Sequence, residues 1–166
     1  MKTTFIGGVK SGKSRLAETY ILKHSTEKPH YLATTECLDD EMLVRIQQHQ
    51  QRRAEQFITI EEPLALYQVV KNSQRPILIE CLTMWLNNML YHGFSESVIL
   101  AELTHTLQLS VDMVFVHNET GLGVIADNPL SRQFVDISGK AGQLLGQYCD
   151  NVYFCSAGLL LPLKQS

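Results

Sequence analysis

The stretch Gly7-Gly8-Val9-Lys10-Ser11-Gly12-Lys13-Ser14 satisfies the pattern G-x-x-x-x-G-K-[ST]. Glycines at those spacings let the backbone curl until its N–H groups face inward, and a helix starting behind the curl adds a positive end. Such a nest holds the phosphates of a nucleoside di- or triphosphate. Lys13 is placed to reach the β and γ phosphates and the Ser14 hydroxyl to ligate Mg²⁺, with Lys10 and Ser11 as further donors. A second acid-bearing stretch, "ILIECLT", runs apolar residues into Glu80. A carboxylate at a strand tip can hold Mg²⁺ or its water, or bind a ribose hydroxyl. Its plainer reading is a cap on the next helix, a part that Thr83 also suits.

The run from Asp39 to Arg53, "DDEMLVRIQQHQQRR", carries another constellation. At about 3.6 residues per turn, Met42, Ile46, His49 and Arg53 fall along one side of a helix, and Arg45 and Arg52 flank His49. Nearby positive charge favours the neutral imidazole. A neutral imidazole is a nucleophile, and arginines clamp phosphates. The alternative is a solvated histidine among glutamines. Spacing alone favours that alternative, since most lone histidines are not catalytic. A metal site is weaker still, because no second ligand lies three or four residues away.

These groups need elements to position them. "TTFIG", "HYLATT", "PILIEC", "DMVFVHN" and "NVYFCSAG" read as strands, rich in β-branched or aromatic residues and bounded by turn formers. Between them, "SRLAETYILKH", "EMLVRIQQHQQRR", "PLALYQVVKN", "LTMWLNNMLYH", "ESVILAELTHTLQL" and "SRQFVDISGKAGQLLGQYC" read as helices, the third starting at Pro63. "HSTEKP", "NSQRP" and "ADNPLS" read as surface loops. The alternation predicts an α/β fold, a mainly parallel sheet flanked by helices, and one domain over residues 1–166. In such sheets ligands bind beyond the carboxyl ends of the strands, where "GGVKSGKS", "ATTECLDD", "ECLT", "HNETGLG" and "SAG" concentrate the polar residues.

Composition narrows the function classes. A net charge of −3 argues against a general nucleic-acid binder, so any anion site is local. Cys37, Cys81, Cys149 and Cys155 form no C-x-x-C pair and have no histidine at zinc-ligand spacing. With no leader and no apolar run near the roughly 20 residues of a membrane span, the expected setting is the reducing cytoplasm.

Taken together, "GGVKSGKS", "YLATTECLDDEMLVRIQQHQQRR", "ITIEEP", "ILIECLTMWLNNML", "HNETGLGVIADNPLSRQFVDISGKAGQ" and "VYFCSAGLLLPLK" resemble the adenosylcobinamide kinase / adenosylcobinamide-phosphate guanylyltransferase family of cobalamin biosynthesis. The resemblance implies a RecA-like P-loop NTPase fold and two reactions. A corrinoid hydroxyl is phosphorylated with ATP or GTP, and GMP is then transferred from GTP to that phosphate through a guanylylated histidine. His49 matches that histidine, and Gly7 to Ser14 match the phosphate loop. The implied nucleotide contacts fall on Ala33, Thr34, Thr35, Arg52, Arg53, Glu61 and Glu80, and the implied assembly is a homo-oligomer with sites near subunit contacts. Departures cluster in the last third. His117 and Thr120 interrupt a Thr-Asn-Glu-Val-Gly pattern, Ala126 replaces a proline, Val135 and Lys140 replace arginines, and Gly142 replaces an asparagine; Ala54 and Phe57 stand for Pro and Trp. Two other readings compete: a P-loop small-molecule kinase without the guanylyltransferase step, and a nucleotide-binding module without turnover.

Overall fold

The computed structural model describes residues 1–36 and 55–166. Seven strands form one sheet: β1 (Lys2–Gly7), β2 (His30–Ala33), β3 (Ile58–Glu61), β4 (Ile77–Glu80), β5 (Met113–Asn118), β6 (Asn151–Ser156) and β7 (Leu159–Lys164). Their order is β3-β2-β4-β5-β1-β6-β7. All neighbours are parallel except β6 and β7. The described helices are α1 (Lys13–His24), α2 (Leu66–Asn72), α3 (Leu82–Tyr91), α4 (Glu96–Gln108) and α5 (Pro129–Tyr148).

Alternation along the strands assigns the two faces. Phe5, Tyr31, Leu78, Val114 and Val116 pack with Ala17 and Ile21 of α1. Leu32, Ile77, Ile79, Met113 and Phe115 pack with residues of α2, α3, α4 and α5, among them Val70, Trp85, Leu103 and Ile137. Both faces of β4 and β5 are therefore covered, which is why those strands read as nearly unbroken apolar runs. Each such side chain contributes about 1.5–3 kcal/mol by leaving water. Trp85, fully buried, also satisfies its indole N–H on the Leu64 carbonyl at 2.8 Å.

Several expectations need correction. "ITIE" and "LLLPLK" were not expected as strands, yet they form β3 and β7 at the two sheet edges, which makes "ILIE" the fourth strand rather than the third. The helix expected from Pro63 begins at Leu66. Glu62 Oε1 accepts from the N–H groups of Leu64 and Ala65 and holds a turn ahead of it. The loop expected at "ADNPLS" contains the start of α5: Asn128 caps the Ser131 N–H and Pro129 occupies the first turn.

Candidate active site

The phosphate loop joins β1 to α1. Gly12, at φ 92°, closes the loop, and no side chain caps the helix behind it. The first turn also lacks an acidic residue. Its N–H groups and the positive end of the helix are thus left to an anion. Lys13 is buried, with its ammonium donating to the Gly8 carbonyl at 3.1 Å. Gly7 is required by packing as well as by the turn, since a Cβ there would sit 2.4 Å from the Cys155 carbonyl of β6. The hairpin between β6 and β7 braces the loop from the other side: the Gly158 N–H donates to the Ser11 carbonyl at 2.9 Å. Ala157 and Gly158 reach that position through left-handed backbone, φ 52° and 78°. Sequence reading placed "SAG" among the strand ends but assigned it no part; a glycine after an apolar strand was its signal.

Three of the expected contacts stand in one row. Ala33 of β2 is in register with Glu61 of β3 on one side and Glu80 of β4 on the other. The row meets the phosphate loop because the Ser14 hydroxyl donates to Glu80 Oε1 at 2.8 Å. Sequence separation between those two residues is 66, so only the parallel crossover brings them together. Thr34 is fully buried. Its hydroxyl donates to the Cys81 carbonyl at 2.7 Å and accepts from the Cys81 N–H at 3.0 Å. Its own N–H bonds Glu80, and its carbonyl accepts from Asn88 at 2.7 Å. Thr34 thus acts as the brace of the row. Asn88 of α3 also donates to the Pro63 carbonyl at 3.1 Å, pinning the ends of β2 and β3 together. Nothing in the sequence singled out Asn88. Thr35 is half-buried at the end of the described segment, and Glu61 is exposed. His49, Arg52 and Arg53 lie outside the described residues.

On the other side of the loop, Asn118 is in register with Gly7, and the Glu119 N–H donates to the Gly7 carbonyl at 3.0 Å. Ser14 and Glu80 are hard oxygen donors in mutual contact, the donor set of a P-loop cation site. Among the described residues no group of three or more His, Cys, Asp or Glu could hold a metal by itself, so phosphate oxygens would have to share the ion.

The departures noted in the sequence fall into different settings. Phe57 is buried edge-on against Tyr31 at 5.4 Å and belongs to the core. Lys140 bridges Glu96 on the surface. The Ala126 carbonyl accepts from Arg132. Nothing in the structure explains Val135. His117 and Gly142, in contrast, are neighbours: a Cβ on residue 142 would lie 3.9 Å from His117 Nε2. With Thr120 they line a cavity of about 230 Å³ beside β1 and α5.

Burial above all, aided by the Lys13 charge and opposed by the Ser138 carbonyl and Glu119, leaves the His117 imidazole at about 4, down from the usual 6.5. The unfolded chain therefore takes up this proton first as pH falls. The contribution of neutral His117 is intact above about pH 6.5 and declines down to about pH 4, by ~1.4 kcal/mol per pH unit at most. Denaturant unfolding at pH 7 and pH 4.5 will show wild type losing stability more steeply than His117→Asn. Parallel losses would remove His117 as the cause.

Comparison with known proteins adds the following. A family model described as cobinamide kinase / cobinamide phosphate guanyltransferase matches residues 3–163. The chain is 39% identical over 176 residues to the bifunctional adenosylcobalamin biosynthesis protein CobP of Pseudomonas aeruginosa, covering 99% of this chain and 98% of that protein. It is 31% identical to the bifunctional adenosylcobalamin biosynthesis protein CobU of Escherichia coli, covering 95% and 97%. Among solved structures it is similar to the flagellar accessory protein FlaH from Methanocaldococcus jannaschii, at a TM-score of 0.55 over 99% of this chain and 78% of that one. At 11% identity that likeness concerns the fold alone, and it bears out the RecA-like P-loop architecture.

Proposed function

The chain belongs to the cobinamide kinase / cobinamide phosphate guanyltransferase family, and we propose that one nucleotide site, built on the ends of β1 to β4, serves both of that family's reactions. It is a bifunctional kinase and guanylyltransferase of adenosylcobalamin biosynthesis. The observation that carries the siting is the Ser14–Glu80 hydrogen bond. It joins the phosphate loop to the row of strand ends on which a nucleotide would lie.

In the first reaction a hydroxyl of adenosylcobinamide attacks the γ-phosphorus of ATP or GTP. The bond to the bridging oxygen breaks, a nucleoside diphosphate leaves and the hydroxyl proton goes to solvent. Lys13 and the amides of Gly8 to Ser14 hold the phosphates and offset the charge that develops on them. Mg²⁺, held by Ser14 and Glu80, would neutralise further charge on the β and γ phosphates. In the second reaction an imidazole nitrogen of His49 attacks the α-phosphorus of GTP and pyrophosphate leaves. An oxygen of adenosylcobinamide phosphate then attacks the same phosphorus, the P–N bond breaks, and adenosylcobinamide-GDP forms with His49 regenerated. Arg52 and Arg53 hold the phosphates during both displacements; Ala33, Thr35 and Glu61 contact the nucleoside, with Thr34 behind them.

Incubation with cobinamide and GTP, with products resolved by mass, tests the reading. Phosphorylated and GDP-linked corrinoids are both expected. Phosphorylated product alone would leave a kinase, and GTP binding without product would leave a binding module.

The proposal extends to the chain acting as a single catalytic domain in the cytoplasm. Among the described residues no helix is long and apolar enough to cross a membrane, and Cys81, Cys149 and Cys155 are free buried thiols. It also extends to a homo-oligomer. Val9 on the phosphate loop is 82% exposed, and Leu122, Val124, Ile125, Leu159, Leu161 and Leu163 present further apolar surface. Light scattering should give a multiple of the 18.8 kDa chain, and Leu161→Lys should reduce it; a wild-type monomer overturns this part.

A further inference from the structure

His117 is 3% exposed, in the strand that ends beside the phosphate loop, and it touches two helices. Its Nε2 lies 3.2 Å from the Ser138 carbonyl and 3.3 Å from the Ser138 hydroxyl of α5, and its Nδ1 lies 3.2 Å from the Thr83 hydroxyl of α3. The same hydroxyl oxygen accepts from the Asn118 N–H at 2.7 Å. A carbonyl only accepts, so the Ser138 contact calls for a proton on Nε2. Nδ1 then accepts from Thr83, whose oxygen is left to accept from Asn118. This neutral tautomer satisfies every partner of the ring, the Ser138 hydroxyl sharing the Nε2 proton as a second acceptor. Gly142 faces the ring from α5, where a Cβ would stand 3.9 Å from Nε2, at ordinary van der Waals distance.

We infer that His117 is a positioning residue: as the neutral Nε2–H tautomer it ties α5 to α3 and, through the Thr83 hydroxyl, sets Asn118 and Glu119 against Gly7 of the phosphate loop. The inference rests on the kinase reading for its effect on rate, and on geometry alone for the tautomer. A hydroxyl rotor without an acceptor gives the Asn118 N–H a less fixed partner. The strand tip it holds is bonded to the loop through Glu119 and Gly7. Misplacement of about 1 Å beside reacting phosphates costs up to about a hundredfold in rate. Two of the sequence departures, His117 and Gly142, border one cavity beside this network.

The test is steady-state phosphorylation by the full chain. His117→Phe should lower kcat about tenfold with KM for the nucleotide changed less than about threefold. His117→Asn, whose amide oxygen can stand in for Nδ1 toward Thr83, should restore most of the loss. His117→Gln, which can replace only the contact with Ser138, should not. Thr83→Val should match His117→Phe, and the double variant should be no slower than either. An unchanged kcat in Thr83→Val, multiplying effects, or His117→Asn no better than His117→Phe would each overturn the inference. Should His117→Phe not fold, imidazole ¹⁵N spectra of wild type decide it: a neutral ring protonated on Nε2 at pH 7 is expected, and the other tautomer or an imidazolium refutes it. A wild type that makes no product would sink the kinase reading while leaving that spectrum to be read.

Discussion

Lys13→Ala lowers phosphoryl transfer by at least about a hundredfold and leaves the fold in place. Lys13 is 8% exposed, and its ammonium is held at the Gly8 carbonyl by one of its three donors. That geometry points the charge into the curl of the loop, where the β and γ phosphates would lie. In the transition state the transferred group spreads negative charge over its oxygens, and a cation already in position offsets it without reorganisation. Removing the ammonium takes away an interaction that strengthens as the reaction proceeds, so kcat falls with kcat/KM. Lys13→Arg should not rescue, because a planar guanidinium does not fit a site shaped around a point charge. Folding has little stake in Lys13 compared with the buried apolar side chains, so thermal unfolding should shift by no more than a few degrees, about 3 °C. Guanylyl transfer should fall as well, since the same loop holds the triphosphate. A Lys13→Ala enzyme within tenfold of wild type would move phosphoryl transfer away from this loop.

The parts of this site that sequence reading found are those whose chemistry is local. Eight consecutive residues make the phosphate loop, and runs rich in apolar and β-branched residues betray β1, β4 and β5 because both faces of those strands are buried. The edges are harder. β3 is four residues, two exposed and two half-buried, too short for a period to register. β7 contains Pro162 and exposes every residue, and proline in a run argues against a strand unless it lies at an edge. The helix start at Asn128 and Pro129 was present as a cap and a first-turn proline, but the cluster of turn formers outweighed it. What no local pattern could carry is the pairing across the sheet. Ser14 meets Glu80, Thr34 spans to Cys81, and Asn88 holds two strand ends only after the parallel order is set. His117 shows the same limit: in the sequence it only interrupts a pattern, while its bonds to Thr83 and Ser138 make it one corner of a packed network.

His49→Ala abolishes guanylyl transfer, by at least about a thousandfold, and spares phosphorylation. The separation follows from what each reaction attacks. Phosphorylation breaks the bond at the γ-phosphorus and needs the loop, Lys13 and the acceptor hydroxyl, none of which is His49. Guanylyl transfer breaks the bond at the α-phosphorus and, in the proposed route, needs a nucleophile that leaves again. Imidazole suits this because arginines close in sequence, Arg45, Arg52 and Arg53, would favour its neutral form and attract the triphosphate. The described structure fixes where that segment departs: Thr34 is pinned above Cys81, Ala33 stands between Glu61 and Glu80, and the chain leaves this row through Thr35 and Glu36. His49 follows Glu36 by thirteen residues in the sequence and lies outside the described residues. GTP labelled at the α-phosphorus should mark wild type with an acid-labile phosphoramidate, and GTP labelled at the γ-phosphorus should leave the protein unmarked. His49→Ala should take no α-label and should accumulate cobinamide phosphate without the GDP-linked product. Equal labelling of the variant would place the nucleophile elsewhere. A wild type that forms the GDP-linked product with no adduct at any time would replace the two displacements by a single direct one, with the arginines kept as the phosphate clamp and His49 reduced to a neighbour of the reacting atoms.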